Sequence, residues 1–142
     1  MSEKRIYVAS SWRNEIQPDV VARLRDEGHE VYDFRNPFHG DRGFHWSDID
    51  PDWKLWSPDQ FRQSLQHPIA TCGLGTDLKG MLWADSCVLV MPCGRSAHLE
   101  AGWFIGAGKS TAILLSDGEP ELMYGLADYI CTTLDEVVGV ME

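Results

Sequence analysis

The stretch at residues 86–115, SCVLVMPCGRSAHLEAGWFIGAGKSTAILL, decides the fold. It opens with a β-branched apolar run at 86–91 (SCVLVM), turns through Pro92 and Gly94 into helical spacing from about 96 to 107, and closes on a second apolar run at 111–115 (TAILL). An apolar run, a helix and another apolar run are the pattern of two parallel strands joined by a crossover helix.

The same alternation recurs on both sides. Arg5–Ala9 (RIYVA) reads as a first strand, Pro18 suits the first position of a helix, and Val20, Val21 and Leu24 make the apolar stripe of a helix ending near Gly28. A second strand follows at 29–34 (HEVYDF). Helical pattern resumes at Pro58, is punctuated at Pro68 and runs to Trp83. Beyond residue 115 come a short helix at 119–124, a strand at 128–131 and a terminal helix at Leu134–Val140. We therefore expect an α/β chain: one domain over residues 1–142, a flavodoxin-like or Rossmann-like three-layer sandwich with a five-stranded, mainly parallel sheet. Residues 36–60 lack periodicity yet hold three of the six Trp, so they read as a Trp-rich insertion. A loop of that length is disordered or functional, and its aromatic content argues against disorder.

Composition narrows the partners. Twelve Lys plus Arg against 22 Asp plus Glu leave a net charge of -10, a field that repels long nucleic acids. No apolar run approaches the length of a membrane span, and the opening MSEKRIYVAS carries no apolar signal segment, so we expect a cytoplasmic protein with no membrane partner. Cys72, Cys87, Cys93 and Cys131 form no C-x-x-C pair and read as reduced, mostly buried thiols.

In parallel sheets, ligands sit beyond the carboxyl ends of the strands, where strand order reverses. Glu100 lies in a helix, SAHLEAGWFIGAGK, in which only it and His98 are polar between Ala97 and Ala107. A carboxyl placed in a helix fit for burial is either a catalytic acid or a structural one satisfied by Arg or backbone. Two partners present themselves, Asp77 and Asp85 on TDLKGMLWAD. A helix that feeds a parallel strand ends at the far edge of the sheet; Asp77 lies roughly 12 Å back toward the ligand edge, and is the better candidate. Tyr7 alternates with Ile6 and Val8 on the first strand and reads as a core aromatic or a hydrogen-bond donor to the site. Beyond it, Ser10 and Ser11 allow close approach to the backbone, while Trp12 and Arg13 offer a stacking plane and a cation. Gly94, Arg95 and the cap-capable Ser96 open the Glu100 helix as either a small anion site or an ordinary N-cap. GAGKS at 106–110 ends a helix and lacks the preceding Gly of a phosphate loop, so it reads as a C-cap. His39, His45 and His67 with Asp41, Asp48, Asp50 and Asp52 show no metal-ligand spacing, and we expect neither metal nor cofactor. Cys93 and His98 lie near the ligand edge, without a spacing that makes them a nucleophile pair.

Taken together these residues resemble the nucleoside 2-deoxyribosyltransferase family and its nucleotide N-glycosidase relatives, over most of the chain. The resemblance rests on IYVASSW with Tyr7 and Trp12, on Asp77 eight residues before Asp85, and on HLEAG with Glu100 ahead of the Gly108–Lys109 turn. The Trp-rich segment looks like that of a bacterial branch of this family. The resemblance implies Glu100 as nucleophile on an anomeric carbon, Tyr7 as its orienting donor, and Asp77 as the acid that helps the base depart. It implies a small nucleoside or nucleotide partner, base stacking by Trp12 and by one or more of Trp46, Trp53 and Trp56, and a homo-oligomer whose subunits complete each other's pockets. Where the family's transferases carry an acid six residues before the nucleophile and its nucleotide hydrolases a Ser, this chain has Gly94; Arg95 and Ser96 are the candidates to replace that Ser on a phosphate. Two other readings stand beside it, a TIR-like NAD-cleaving domain and a non-catalytic nucleotide sensor.

Overall fold

The structure is a computed structural model that describes residues 3–37 and 42–142. Strands β1 (Arg5–Ala9), β2 (Glu30–Asp33), β3 (Ser86–Val90), β4 (Ser110–Leu114) and β5 (Tyr129–Cys131) form one sheet in the order β2-β1-β3-β4-β5, with every neighbouring pair parallel. The expected α/β fold is the one observed, and its sheet is parallel throughout. The chain runs outward from β1 to β2, then returns to β3 on the other side of β1. In sheets of this order, ligands sit at that reversal, beyond the carboxyl ends of β1 and β3.

Alternation along the strands separates two cores. Ile6 and Val8 pack with Val20, Val21 and Leu24 of α1 (Gln17–Asp26) and with Val137 of α5 (Leu134–Val140). Tyr7, Ala9 and Tyr32 face the other way, where Met81 of α3 (Pro68–Trp83) and Ala97, Ala101 and Phe104 of α4 (Arg95–Gly106) cover them. Tyr7 is fully buried between these layers.

The described part of the Trp-rich segment carries short regular elements. Two 3-10 turns, Trp46–Asp48 and Trp53–Leu55, lead into α2 (Pro58–Ser64), which a reciprocal Ser57–Gln60 capping box starts. Trp46 meets Phe44, Trp56 and Phe61 edge to face, with centroids 4.6, 5.7 and 5.5 Å away. Phe38, His39, Gly40 and Asp41 lie outside the described residues. The expected helix at 119–124 is instead a 3-10 turn at Leu122–Leu126, because Pro120 and Gly125 leave too few residues between them for an α-helical turn to propagate.

Two close approaches place α3. A Cβ on Gly73 would lie 2.8 Å from the Phe44 ring, and one on Gly80 would lie 2.7 Å from the Tyr32 ring. At the carboxyl end of α3, the Lys109 ammonium donates to the carbonyls of Met81, Leu82 and Ala84 at 3.1, 3.2 and 2.6 Å. Lys109 reaches them from the turn that ends α4, where Gly108 takes a left-handed φ of 75°. The GAGKS stretch is thus a helix terminus, and its Lys ties α4 to α3.

Replacing Gly80 by Ala should lower the urea midpoint by the equivalent of about 1–3 kcal/mol, the usual effect of overpacking. Gly75→Ala, on the same helix with open space at its Cβ position, should raise it.

Candidate active site

The β1–β2 register pairs Tyr7 with Tyr32, so their side chains leave the sheet side by side. The rings stack with centroids 4.9 Å apart and planes 9° from parallel. Each phenol donates to a carboxyl group on a different helix: Tyr7 to Oε2 of Glu100 on α4, and Tyr32 to Oδ1 of Asp77 on α3, the latter at 2.7 Å. The structure thereby brings Tyr7, Asp77 and Glu100 to one place, with Tyr32 as a fourth member. Asp85 lies at the opposite edge, where its carboxylate accepts the Arg5 N–H at 3.2 Å.

Burial governs the protonation of all four groups. It lifts Glu100 from 4.5 to about 7; the Tyr7 hydrogen bond opposes this rise and the negative charge of Asp77 adds to it. Burial also raises Asp77 above the ordinary carboxylate range, against the pull of the Tyr32 hydrogen bond. Both phenols are raised, first by burial and then by Glu100 and Asp77, so each stays a donor at physiological pH. Two interacting carboxyls of this kind titrate as a pair.

The loops around the pair are fixed by polar contacts, of which the Ser10 bond is buried. Ser10 Oγ donates to the Val90 carbonyl at 2.8 Å, and Ser11 Oγ accepts the Gly94 N–H at 2.7 Å, stitching the loop after β1 to the loop after β3. Arg35 Nη2 donates to the carbonyls of Ser11, Trp12 and Asn14 at 3.2, 2.7 and 2.7 Å. The N-cap of α4 is Gly94 rather than Ser96, and no side chain caps it. Arg95 and Ser96 are exposed in its first turn, and the first-turn amides lack intrahelical acceptors. Arg13 is exposed on the neighbouring loop.

The tryptophans pack among one another and against neighbouring side chains. Trp12 meets Phe34 edge to face, lies 4.4 Å from the His45 ring and sits beneath the Arg35 guanidinium. Trp56 gives its indole N–H to Asp50 at 2.8 Å, and Trp53 lies beneath Lys54. Among the described residues, neither Trp53 nor Trp56 lines the cavity beside Asp77. That cavity, of about 530 Å³, lies between α3 and residues 42–48 and is lined by Phe44, Gly73, Thr76 and Asp77 among others.

Cys93 Sγ lies 3.7 Å from His98 Nδ1, a nitrogen already engaged elsewhere. His98 Nδ1 lies 2.7 Å from the Gly94 carbonyl, to which it donates, and Nε2 accepts from the Tyr124 hydroxyl at 2.7 Å. The imidazole therefore has no free acceptor for the thiol proton, and burial, with Glu100 adding, pushes the thiol up to about 11. All four cysteines are free; Cys87 and Cys131 are buried, Cys93 is half-buried and Cys72 is exposed.

This parallel sandwich, with its reversal of strand order between β1 and β3, defines a flavodoxin-like α/β class. Within it, the structure matches a 2-deoxyribosyltransferase from the psychrotolerant bacterium Bacillus psychrosaccharolyticus, with 21% identity, a TM-score of 0.61, and 93% of this chain and 88% of that one covered. It also matches a CMP N-glycosidase of Clostridium botulinum, with 19% identity, a TM-score of 0.54, and 97% of this chain and 98% of that one covered. The resemblance drawn from the sequence therefore holds at the level of the fold. No family model matches the sequence, and a search of the curated proteins gives no match.

The raised Glu100 has a consequence for stability. Its folded value, about 7, exceeds its ordinary 4.5, so folding loses stability as pH rises through that window. Glu100→Gln, which can still accept from Tyr7, should melt higher than the parent at pH 8, by up to roughly 3 kcal/mol. The advantage should vanish near pH 4.5; equal melting at both pH values would show that no buried charge is relieved.

Proposed function

We propose that the protein cleaves or transfers the N-glycosidic bond of a nucleoside or nucleotide through Glu100, with Asp77 as acid and Tyr7 as orienting donor. One observation carries this reading: two half-buried carboxyls, each held by a phenol, come together at the edge of the sheet where such a fold binds ligands. In the first step the Glu100 carboxylate bonds to the anomeric carbon as the C–N electron pair moves onto the base. The base takes a proton from Asp77. Water or a second base then attacks the anomeric carbon, frees the Glu100 carboxylate and returns a proton to Asp77. The cavity beside Asp77 is the place for the departing base. Ser10, Ser11, Gly94, Arg95 and Ser96, with Arg13 nearby, form the side toward the sugar, and the uncapped start of α4 favours a phosphorylated one. Both structural neighbours act on molecules of this type, as their names state.

The reading needs one proton on the carboxyl pair, carried by Asp77 while Glu100 is ionised, whereas burial and the charge of Asp77 favour the proton on Glu100, so the reactive form is the minor one of the two. The last proton leaves at about 7, so turnover should fall above that pH, and it should fall again on the acid side, above the ordinary Asp range, as a second proton is taken up. Incubation with a panel of nucleosides, nucleotides and NAD, with and without an acceptor base, should free or exchange a base. Glu100→Ala should abolish this with the fold intact; unchanged turnover in that variant removes the nucleophile role. Nicotinamide release alone would point to the NAD-cleaving alternative, and thermal stabilisation by a nucleotide without base release to a sensor.

The same reading includes a homo-oligomer acting in the cytoplasm. Among the described residues no helix is long and apolar enough to cross a membrane. Helix α3 is apolar on nearly every side, a pattern normal for a covered helix, yet only Ala70, Gly80 and Met81 are buried. Leu74, Leu78 and Leu82 are exposed at 69, 41 and 62%, in one stripe, with Leu99 of α4 at 76%. A stripe free of carboxylates is where copies of a chain with charge -10 can meet without repulsion. Leu78→Glu should convert a dimer or larger assembly to monomer in sedimentation; a parent that sediments as monomer overturns the assignment.

A further inference from the structure

We infer that Tyr32 is a positioning residue that dictates which oxygen of Asp77 carries the transferable proton, as the counterpart of Tyr7 on Glu100. The inference rests on the glycosyl-transfer reading above. It starts from the symmetry of the site: neighbouring strands present register-paired, stacked phenols, and each phenol takes one oxygen of one carboxyl. Glu100 Oε1 and Asp77 Oδ2 make no hydrogen bond among the described residues.

The geometry divides labour within each carboxyl group. A phenol that donates to Oδ1 makes that oxygen an acceptor, so the acid proton of Asp77 resides on Oδ2. Asp77 lines the cavity, and Oδ2 is the oxygen left to meet a base there. In the same way Tyr7 engages Oε2 and leaves Oε1 as the attacking atom. When Oε1 bonds to the anomeric carbon, the C–N pair passes to the base and the Oδ2 proton follows it. Tyr32 keeps its own proton throughout. Its place is fixed by packing rather than by solvent: it is 1% exposed, and the bare α-carbon of Gly80 lets α3 close onto the ring. A tyrosine that served only as core would need no carboxylate at its hydroxyl.

The test uses Tyr32→Phe, which keeps the ring and its stack and removes only the hydroxyl. Two substrates are compared: the best nucleoside or nucleotide from the panel, and the p-nitrophenyl glycoside of the same sugar, whose leaving group departs without a proton. Tyr32→Phe should lower kcat on the first by about tenfold or more with little change in KM, and on the second by less than about twofold. Its acid limb should move to higher pH, because the Asp77 carboxylate has lost a stabilising hydrogen bond. Adding Tyr32→Phe to Asp77→Asn should cause no further loss, since the hydroxyl acts through the carboxyl it holds. Equal losses on both substrates, an unmoved limb or additive losses would assign Tyr32 to the core and overturn the positioning role. A parent protein that turns over neither substrate overturns the underlying reading instead. Melting curves keep a folding defect distinct from either result.

Discussion

Two half-buried carboxyl groups are held by one pair of buried, stacked phenols, and this pairing organises the site. A carboxylate removed from water must be hydrogen-bonded or neutralised. Here Tyr7 supplies one bond and Tyr32 the other. Both arise from adjacent, register-paired positions of the two strands on which the sheet begins. The sheet thus serves as a rigid mount for the donors, and the two helices above it each deliver one acid. Desolvation then sets the protonation of the pair, holding Glu100 near neutrality where an exposed glutamate would be fully ionised.

Much of this arrangement was legible in the sequence because it rests on periodicity. Alternation in RIYVA put Tyr7 opposite Ile6 and Val8, and helical rise placed Asp77 and Asp85 at opposite edges of the sheet. The lone acid in an apolar helix marked Glu100. Tyr32 was not legible, since HEVYDF reads as an ordinary strand and nothing local says which residue of β1 will lie beside it. Cross-strand register is a long-range property, and it alone turns a core tyrosine into a neighbour of the site. The cap of α4 moved to Gly94 for a similar reason: the acceptor for its N–H is Ser11, 83 residues away.

The tryptophans carry contacts that the sequence did not show. An aromatic-rich loop beside a ligand edge invites a stacking role, yet Trp12, Trp46 and Trp56 are engaged with Phe34, His45, Phe44, Phe61 and Asp50. Phe44, which Trp46 meets edge to face, closes onto Gly73 of α3. The insertion shapes the wall of the cavity through Phe44, Gly43 and Arg42 rather than by presenting free rings.

Lys109 sets the gauge between the two helices from the end remote from the site. Its ammonium crosses from the turn after α4 to three carbonyls at the tail of α3, so the members carrying Glu100 and Asp77 are clamped like the arms of a caliper at its pivot. A small displacement at a pivot is magnified at the jaws. The spacing of the two helices at the Lys109 end is therefore held by a residue that touches neither carboxyl group.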